Sequence, residues 1–261
     1  MSSNDILLAV RNLSVDFPAH GRVLDQVSLS LKKGEILGII GESGSGKSVL
    51  ARTLVRLETP GRISSGSILL NGQELATQSQ AAMRGIRGQN IALAVQDPRS
   101  ALDPVFRIGS QLKEAMGSAL GRTKGSFHEA ICGQLAQVGI SSPHLRCRQY
   151  PHQWSRGMLQ RAQLVMLFST GAQVLLLDEV TSALDPTVTL QIIELIRKLQ
   201  QERQVSIILI THDLAVVQEL CDRAAVMQHG RIVESGSLSQ VLHSPAHFYT
   251  QELVAGAWTG C

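Results

Sequence analysis

Aromatic residues are scarce. They make up 3% of the 261 positions, too few for the stacking platforms that hold single-stranded nucleic acid. Charge of one sign is scarce too: the basic excess is only +3, which argues for neither a nucleic acid nor an anionic membrane surface as partner. No apolar run approaches the ~18–20 residues that cross a bilayer. A secretory leader is not expected, because Asp5 stands where basic charge belongs and Ile6–Val10 is too short for a leader's hydrophobic region. Cysteine is limited to Cys132, Cys147, Cys221 and Cys261, scattered and without a CxxC pair. That pattern fits reduced thiols in a cytosolic protein better than a disulfide frame or a zinc site.

What is present is an ordinary globular balance, 44% hydrophobic and 17% charged, enough for one large α/β core or a core with a smaller lobe. Short strand-like runs come first: Leu7–Val10, Val27–Leu31 and Ile36–Ile40. The last is continuously apolar, as a strand buried on both faces of a parallel sheet must be. It runs into a glycine-rich loop, after which Val49–Leu57 has the pattern of a helix. Ser67–Leu70 followed by Asn71-Gly72 predicts a strand entering a hairpin turn.

Between about Leu102 and Arg161 the strand signals vanish. Helical periodicity over Ile108–Leu120 and Glu129–Val138 takes over, punctuated at 121–126 and 139–143. This predicts a helical lobe inserted into the core. Strand signals return at Val174–Leu177, Ser206–Ile210 and Ala224–Met227, with a helix over Thr187–Arg203. Such βαβ alternation predicts a mainly parallel sheet.

Gly41-Glu42-Ser43-Gly44-Ser45-Gly46-Lys47-Ser48 stands between the predicted strand and helix. The glycines let successive N–H groups point into one anion cavity, and the helix start adds its dipole. In this phosphate-binding loop Lys47 reaches the β- and γ-phosphates of ATP and the Ser48 hydroxyl ligates Mg²⁺. Val174–Leu177 ends in Asp178 and Glu179, which leaves two carboxylates at the strand's C-terminal edge, where open α/β sheets bind ligands. Asp178 is expected to hold the Mg²⁺ shell and Glu179 to orient and deprotonate the attacking water.

With both halves in place the chain resembles an ABC-transporter ATPase over nearly its whole length. The resemblance implies an α/β P-loop NTPase: a mainly parallel RecA-like core with an antiparallel β subdomain (1–96 and 162–261) and a helical signature lobe (97–161). It implies that Gln96, in Val95-Gln96-Asp97-Pro98, is the Q-loop glutamine sensing Mg²⁺ and the γ-phosphate. It makes Ser182-Ala183-Leu184-Asp185 the D-loop and His212 the histidine that contacts the γ-phosphate. The family also stacks an aromatic ring on adenine; Phe17 and His20 are both candidates.

The signature segment departs from the family pattern. Ser155, Gly157 and Met158 are retained, but Arg156 replaces a glycine whose lack of a side chain lets backbone approach a phosphate. Val180 also stands where a proline usually follows the glutamate. Because the signature acts in trans, the resemblance implies a heterodimer with a second, non-identical ABC ATPase and two unequal sites; the other reading has Arg156 supply charge to a phosphate.

Within the family the chain is similar to the dipeptide, oligopeptide and nickel importer branch, through Tyr150–Gln153, Gln96–Pro104 and Ser244–Leu253. Ending at Cys261, it is expected to resemble the shorter nickel-importer subunit, with a peptide importer as the alternative. A soluble ATPase of translation or DNA repair is a further alternative. The eight histidines show no clustering with ligand spacing. The partners implied are two integral membrane permease subunits and an extracytoplasmic solute-binding protein, with no nucleic acid. The place implied is the cytoplasmic face of the cell membrane, peripherally bound.

Overall fold

The computed structural model describes residues 5–120, 127–182 and 184–258. The punctuation at 121–126, Ala183 of the D-loop and Cys261 lie outside these. The chain divides into two compact units, one formed by 1–85 with 204–261 and the other by 86–203.

In the first unit, β1 (Ile6–Phe17) lies between β2 (Gly21–Lys32) and β4 (Arg62–Leu70), all antiparallel, with the short β5 (Gln73–Glu74) beyond. β1 and β2 run for 12 residues each, longer than the apolar runs alone indicate. The excess is explained by register shifts between Val10 and Leu13, where Asn12 takes φ 46°, so that apolar alternation breaks while pairing continues. The Asn71-Gly72 turn has φ of 51° and 78° and joins β4 to β5, as the sequence predicts.

The same unit carries β3 (Ile36–Ile40) between β8 (Ser206–Ile210) and β9 (Arg223–Gln228), parallel to both, with β10 (Arg231–Ser237) antiparallel on the far side of β9. Every residue of β3 and β8 is buried, which accounts for their uninterrupted apolar sequence. α8 (Leu214–Leu220) covers β3: a Cβ on Gly38 would lie 3.0 Å from Cys221 Sγ and 3.1 Å from Val217 Cγ1. α1 (Lys47–Leu54) follows the glycine-rich loop and ends three residues before the predicted limit, because Arg56 adopts φ 56°. The short α9 (Leu238–His243) and then α10 (Phe248–Trp258) close the chain's described part.

In the second unit, β6 (Ile91–Ala94) and β7 (Val174–Asp178) are parallel, with Ala94 opposite Leu177. Around them run α3 (Ile108–Leu120), α4 (Phe127–Gln137), α5 (Pro143–Arg146), α6 (Arg156–Phe168) and α7 (Pro186–Arg203). α2 (Gln80–Ile86) leads into this unit. The core is apolar: Leu112, Leu135, Leu159 and Leu164 are fully buried. Fully burying a leucine contributes about 1.5–3 kcal/mol relative to exposing it.

Candidate functional site

The phosphate-loop sequence occupies the connection from β3 to α1. A Cβ at Gly41 would fall 2.1 Å from the Met227 carbonyl oxygen, so only glycine permits the loop to pass there. Gly46 caps α1 at φ 106°, a conformation that side chains resist, and no side chain caps the helix. The first amides of α1 therefore remain directed out of its start. Glu42, Ser43 and Gly44 form the exposed tip, whereas Ser45 and Lys47 are buried. The Lys47 ammonium, 4% exposed, donates to the carbonyls of Gly41 and Glu42 at 2.7 Å each, and to Ser45 Oγ at 3.3 Å. Buried carbonyl acceptors keep that cation in place and aimed along the loop.

The loop is tied to its own unit at two further points. Gly230 donates from its backbone to Ser45 O at 2.9 Å. The Glu42 N–H donates to the Tyr249 hydroxyl of α10 at 3.0 Å. Burial raises the Tyr249 phenol above its ordinary pKa, a shift the Glu42 N–H partly offsets, so it stays neutral and can accept. α10 is held in turn by Glu234, whose carboxylate accepts from Ala246 N at 2.8 Å and His247 N at 3.0 Å.

His212 sits one residue past the Thr211 that follows β8. Because Ile39 pairs with Ile210, the ends of β3 and β8 place His212 and the phosphate loop at the same sheet edge. His212 is exposed, and Asp213 behind it caps α8 through Ala215 N at 2.9 Å. Phe17 ends β1 with its ring close against Gly61, and His20 is exposed in the turn that follows.

The second unit gathers the other candidates. Asp178, 4% exposed, ends β7. Glu179 follows at φ 50°, a backbone conformation that costs a non-glycine on the order of 1–3 kcal/mol. Ser182 holds it there, donating to Glu179 O from N at 3.1 Å and from Oγ at 2.8 Å. Gln96, two residues past β6, donates from Nε2 to Glu179 Oε2 at 2.7 Å. The register explains this meeting, since Ala94 opposes Leu177 and Gln96 and Glu179 each lie two residues beyond that pair. Gln163 of α6 supports the arrangement from behind, donating to Val95 O at 3.1 Å.

The signature residues begin α6. Ser155 is its N-cap and accepts from Met158 N at 3.3 Å. Arg156 is exposed, and Gly157 has ordinary room for a Cβ, 3.6 Å from Val188 Cγ1. The expectation that no histidines cluster with ligand spacing is corrected: His128 of α4 groups with Cys132 and Cys147 on one side and with Glu129 and His144 on the other. The sequence hides this because the two pairs meet only when the helices pack.

A nucleotide triphosphate with Mg²⁺ fits what is present. The loop offers a buried ammonium and the first amides of α1 to phosphate oxygens, and the Ser48 hydroxyl is a hard oxygen donor of the kind Mg²⁺ takes; within the second unit Asp178 carries a carboxylate of the same kind.

The ABC transporter family model matches residues 24–182. The chain is 41% identical over 252 residues to the dipeptide transport ATP-binding protein DppD of Escherichia coli (strain K12), covering 95% of this chain and 77% of that one. It is 42% identical over 269 residues to the glutathione import ATP-binding protein GsiA of Salmonella typhimurium, covering 98% of this chain but 42% of that longer one. Among solved structures it is similar to CbiO1 of Clostridium perfringens, part of the transporter complex CbiONQ, at 26% identity and a TM-score of 0.77 over 92% of each chain. No helix among the described residues is long and apolar enough to cross a membrane. These relatives are named for dipeptide and glutathione, so the nickel expectation gains no support from them. The chain belongs to the ABC transporter family, as one of its ATP-hydrolysing cassettes.

Proposed function

We propose that the chain energises a membrane importer of short peptides. The observation that carries this reading is its 41% identity with a dipeptide transport ATP-binding protein over 95% of its length. Tyr150–Gln153, Gln96–Pro104 and Ser244–Leu253 support the same branch.

Lys47 and the amides of Gly41–Ser48 bind the ATP phosphates, and Phe17 or His20 stacks on adenine. Ser48, Asp178 and Gln96 would hold Mg²⁺, which would supply positive charge against that developing on the transferred phosphoryl group. Glu179, oriented by the Gln96 amide, takes a proton from the attacking water, a general-base contribution worth about 10²–10⁴-fold. His212 stabilises the γ-phosphate. Catalysis of this kind rests on positioning and charge rather than covalent chemistry.

Ser155, Arg156, Gly157 and Met158 complete the site of a second, non-identical ATPase, so the chain works in a heterodimer. We assign residues 97–161 as the signature lobe that receives the cytoplasmic helices of two permease subunits, with 1–96 and 162–261 as the catalytic core. Val105, Phe106 and Leu145 are 70%, 56% and 61% exposed in that lobe, apolar surface suited to an amphipathic partner helix. The complex sits at the cytoplasmic face of the cell membrane and takes its solute from an extracytoplasmic binding protein.

Uptake of a labelled dipeptide by membranes carrying the complete complex tests this reading. Uptake that depends on ATP and is lost in Lys47→Ala is expected. Uptake of nickel with no dipeptide transport would overturn it.

A further inference from the structure

Away from the nucleotide-binding residues, α4 and the segment of α5 bring four soft-donor side chains together. His128 and Cys132 are one turn apart on α4, and His144 and Cys147 lie on α5 and its C-cap. Cys132 Sγ is 3.7 Å from both Cys147 Sγ and His128 Nε2, and His128 Nε2 is 3.4 Å from His144 Nδ1. A tetrahedral Zn²⁺, with Zn–S of about 2.3 Å and Zn–N of about 2.0–2.1 Å, sets edges of about 3.8 Å between sulfurs, about 3.6 Å between sulfur and nitrogen and about 3.4 Å between nitrogens. The Cys132–Cys147 and Cys132–His128 separations match these edges within about 0.1 Å, and the ligand atoms of His128, Cys132 and Cys147 all lie within 4.8 Å of one another.

We propose that His128, Cys132 and Cys147 form a Zn²⁺-binding site that fastens α4 to the end of α5, with water in the fourth position and His144 supporting His128. Both cysteines are buried, at 3% and 4% exposure, and both histidines are exposed. The ion therefore enters from the solvent side, past the exposed imidazoles, and reaches sulfurs already in contact. A simple buried thiol pair would account for Cys132 and Cys147 but not for two histidines on the same donor chain. The S₂N set selects Zn²⁺ over the hard cations Mg²⁺ and Ca²⁺. Glu129 is exposed beside His128 and His144, adding negative charge at the entrance. Binding displaces the thiol protons, so apparent affinity rises with pH.

The test uses the purified full chain, kept reduced and freed of metal. Zn²⁺ titrated by calorimetry is expected to bind at one ion per chain and to raise the melting temperature. Co²⁺ in its place should give the charge-transfer absorption of bound thiolate. Cys132→Ser and Cys147→Ser should each weaken binding at least about 100-fold, and His144→Ala about 10–100-fold. Cys221→Ser, buried elsewhere under α8, should leave it unchanged. Retained ATP binding confirms that each variant folds, and the Co²⁺ spectrum of the unaltered chain needs no variant at all. Absence of stoichiometric Zn²⁺ binding, a Co²⁺ complex without thiolate absorption, or equal binding by the Cys132→Ser, Cys147→Ser double variant would overturn the proposal.

Discussion

Gln96 Nε2 donates a 2.7 Å hydrogen bond to Glu179 Oε2. The amide fixes one carboxylate oxygen, which leaves the other available to a water. Gln96→Ala frees that rotor while leaving Glu179 in place. We expect kcat to fall about 10-fold or more with ATP affinity nearly unchanged, because the loss concerns orientation at the reacting centre. Steady-state kinetics separate kcat from KM; a rise in KM alone would assign Gln96 to binding instead.

Lys47 is a buried cation satisfied by two carbonyls and a hydroxyl of its own loop. Lys47→Ala removes the charge that meets the phosphates and leaves those carbonyls without their donor. ATP affinity should fall by at least about 30-fold, the equivalent of about 2 kcal/mol. Equilibrium binding of a labelled nucleotide reads this directly, and unchanged affinity would remove Lys47 from the site.

Tyr249→Phe takes away the acceptor for the Glu42 N–H. Losing this part-buried hydrogen bond costs about 0.5–1.5 kcal/mol. We expect lower thermal stability together with a severalfold weaker ATP affinity, since the loop amide loses its anchor. Stability loss without any change in nucleotide binding would make Tyr249 purely structural.

The carboxyl of Glu234 is pulled two ways. Burial alone would raise its pKa, but the N–H groups of Ala246 and His247 with the Thr250 hydroxyl outweigh this and hold it below its ordinary value. A carboxyl lowered by folding stabilises the native state above its unfolded pKa and loses that contribution as pH falls through the folded one. Amide protection in α10, taken relative to the intrinsic exchange rate at each pH, should therefore fall as pH drops below about 4.3, and Glu234→Gln should show the lower protection already at neutral pH.

Arg156 stands at the start of α6 with its side chain exposed. If it hinders the partner's site, Arg156→Gly should raise ATP turnover of the reconstituted complex severalfold. Unchanged turnover would mean that the arginine is tolerated there and that the unequal-site model fails.

The route from β3 through the phosphate loop to α1 was legible because every constraint there is local. A strand buried on both faces must be apolar throughout, and a loop passing 2.1 Å from a carbonyl must be glycine. β7 ending in Asp178 and Glu179 was legible for the same reason. Strand length was not: β1 carries Arg11 and Asn12 through a bulge, so its pairing outlasts its alternation. β10 has no buried residue and no apolar run to announce it. Neither the Gln96–Glu179 bond nor the His128–Cys132–Cys147 cluster has a linear signature. The first follows from register between β6 and β7, the second from helix packing.

Glu179→Gln tests the central claim most directly, measured as phosphate release beside nucleotide retention. The isosteric amide keeps the Gln96 contact within reach but cannot take a proton from water. The prediction is ATP retained at full stoichiometry with phosphate release reduced at least about 100-fold; phosphate release at the unaltered rate would contradict it.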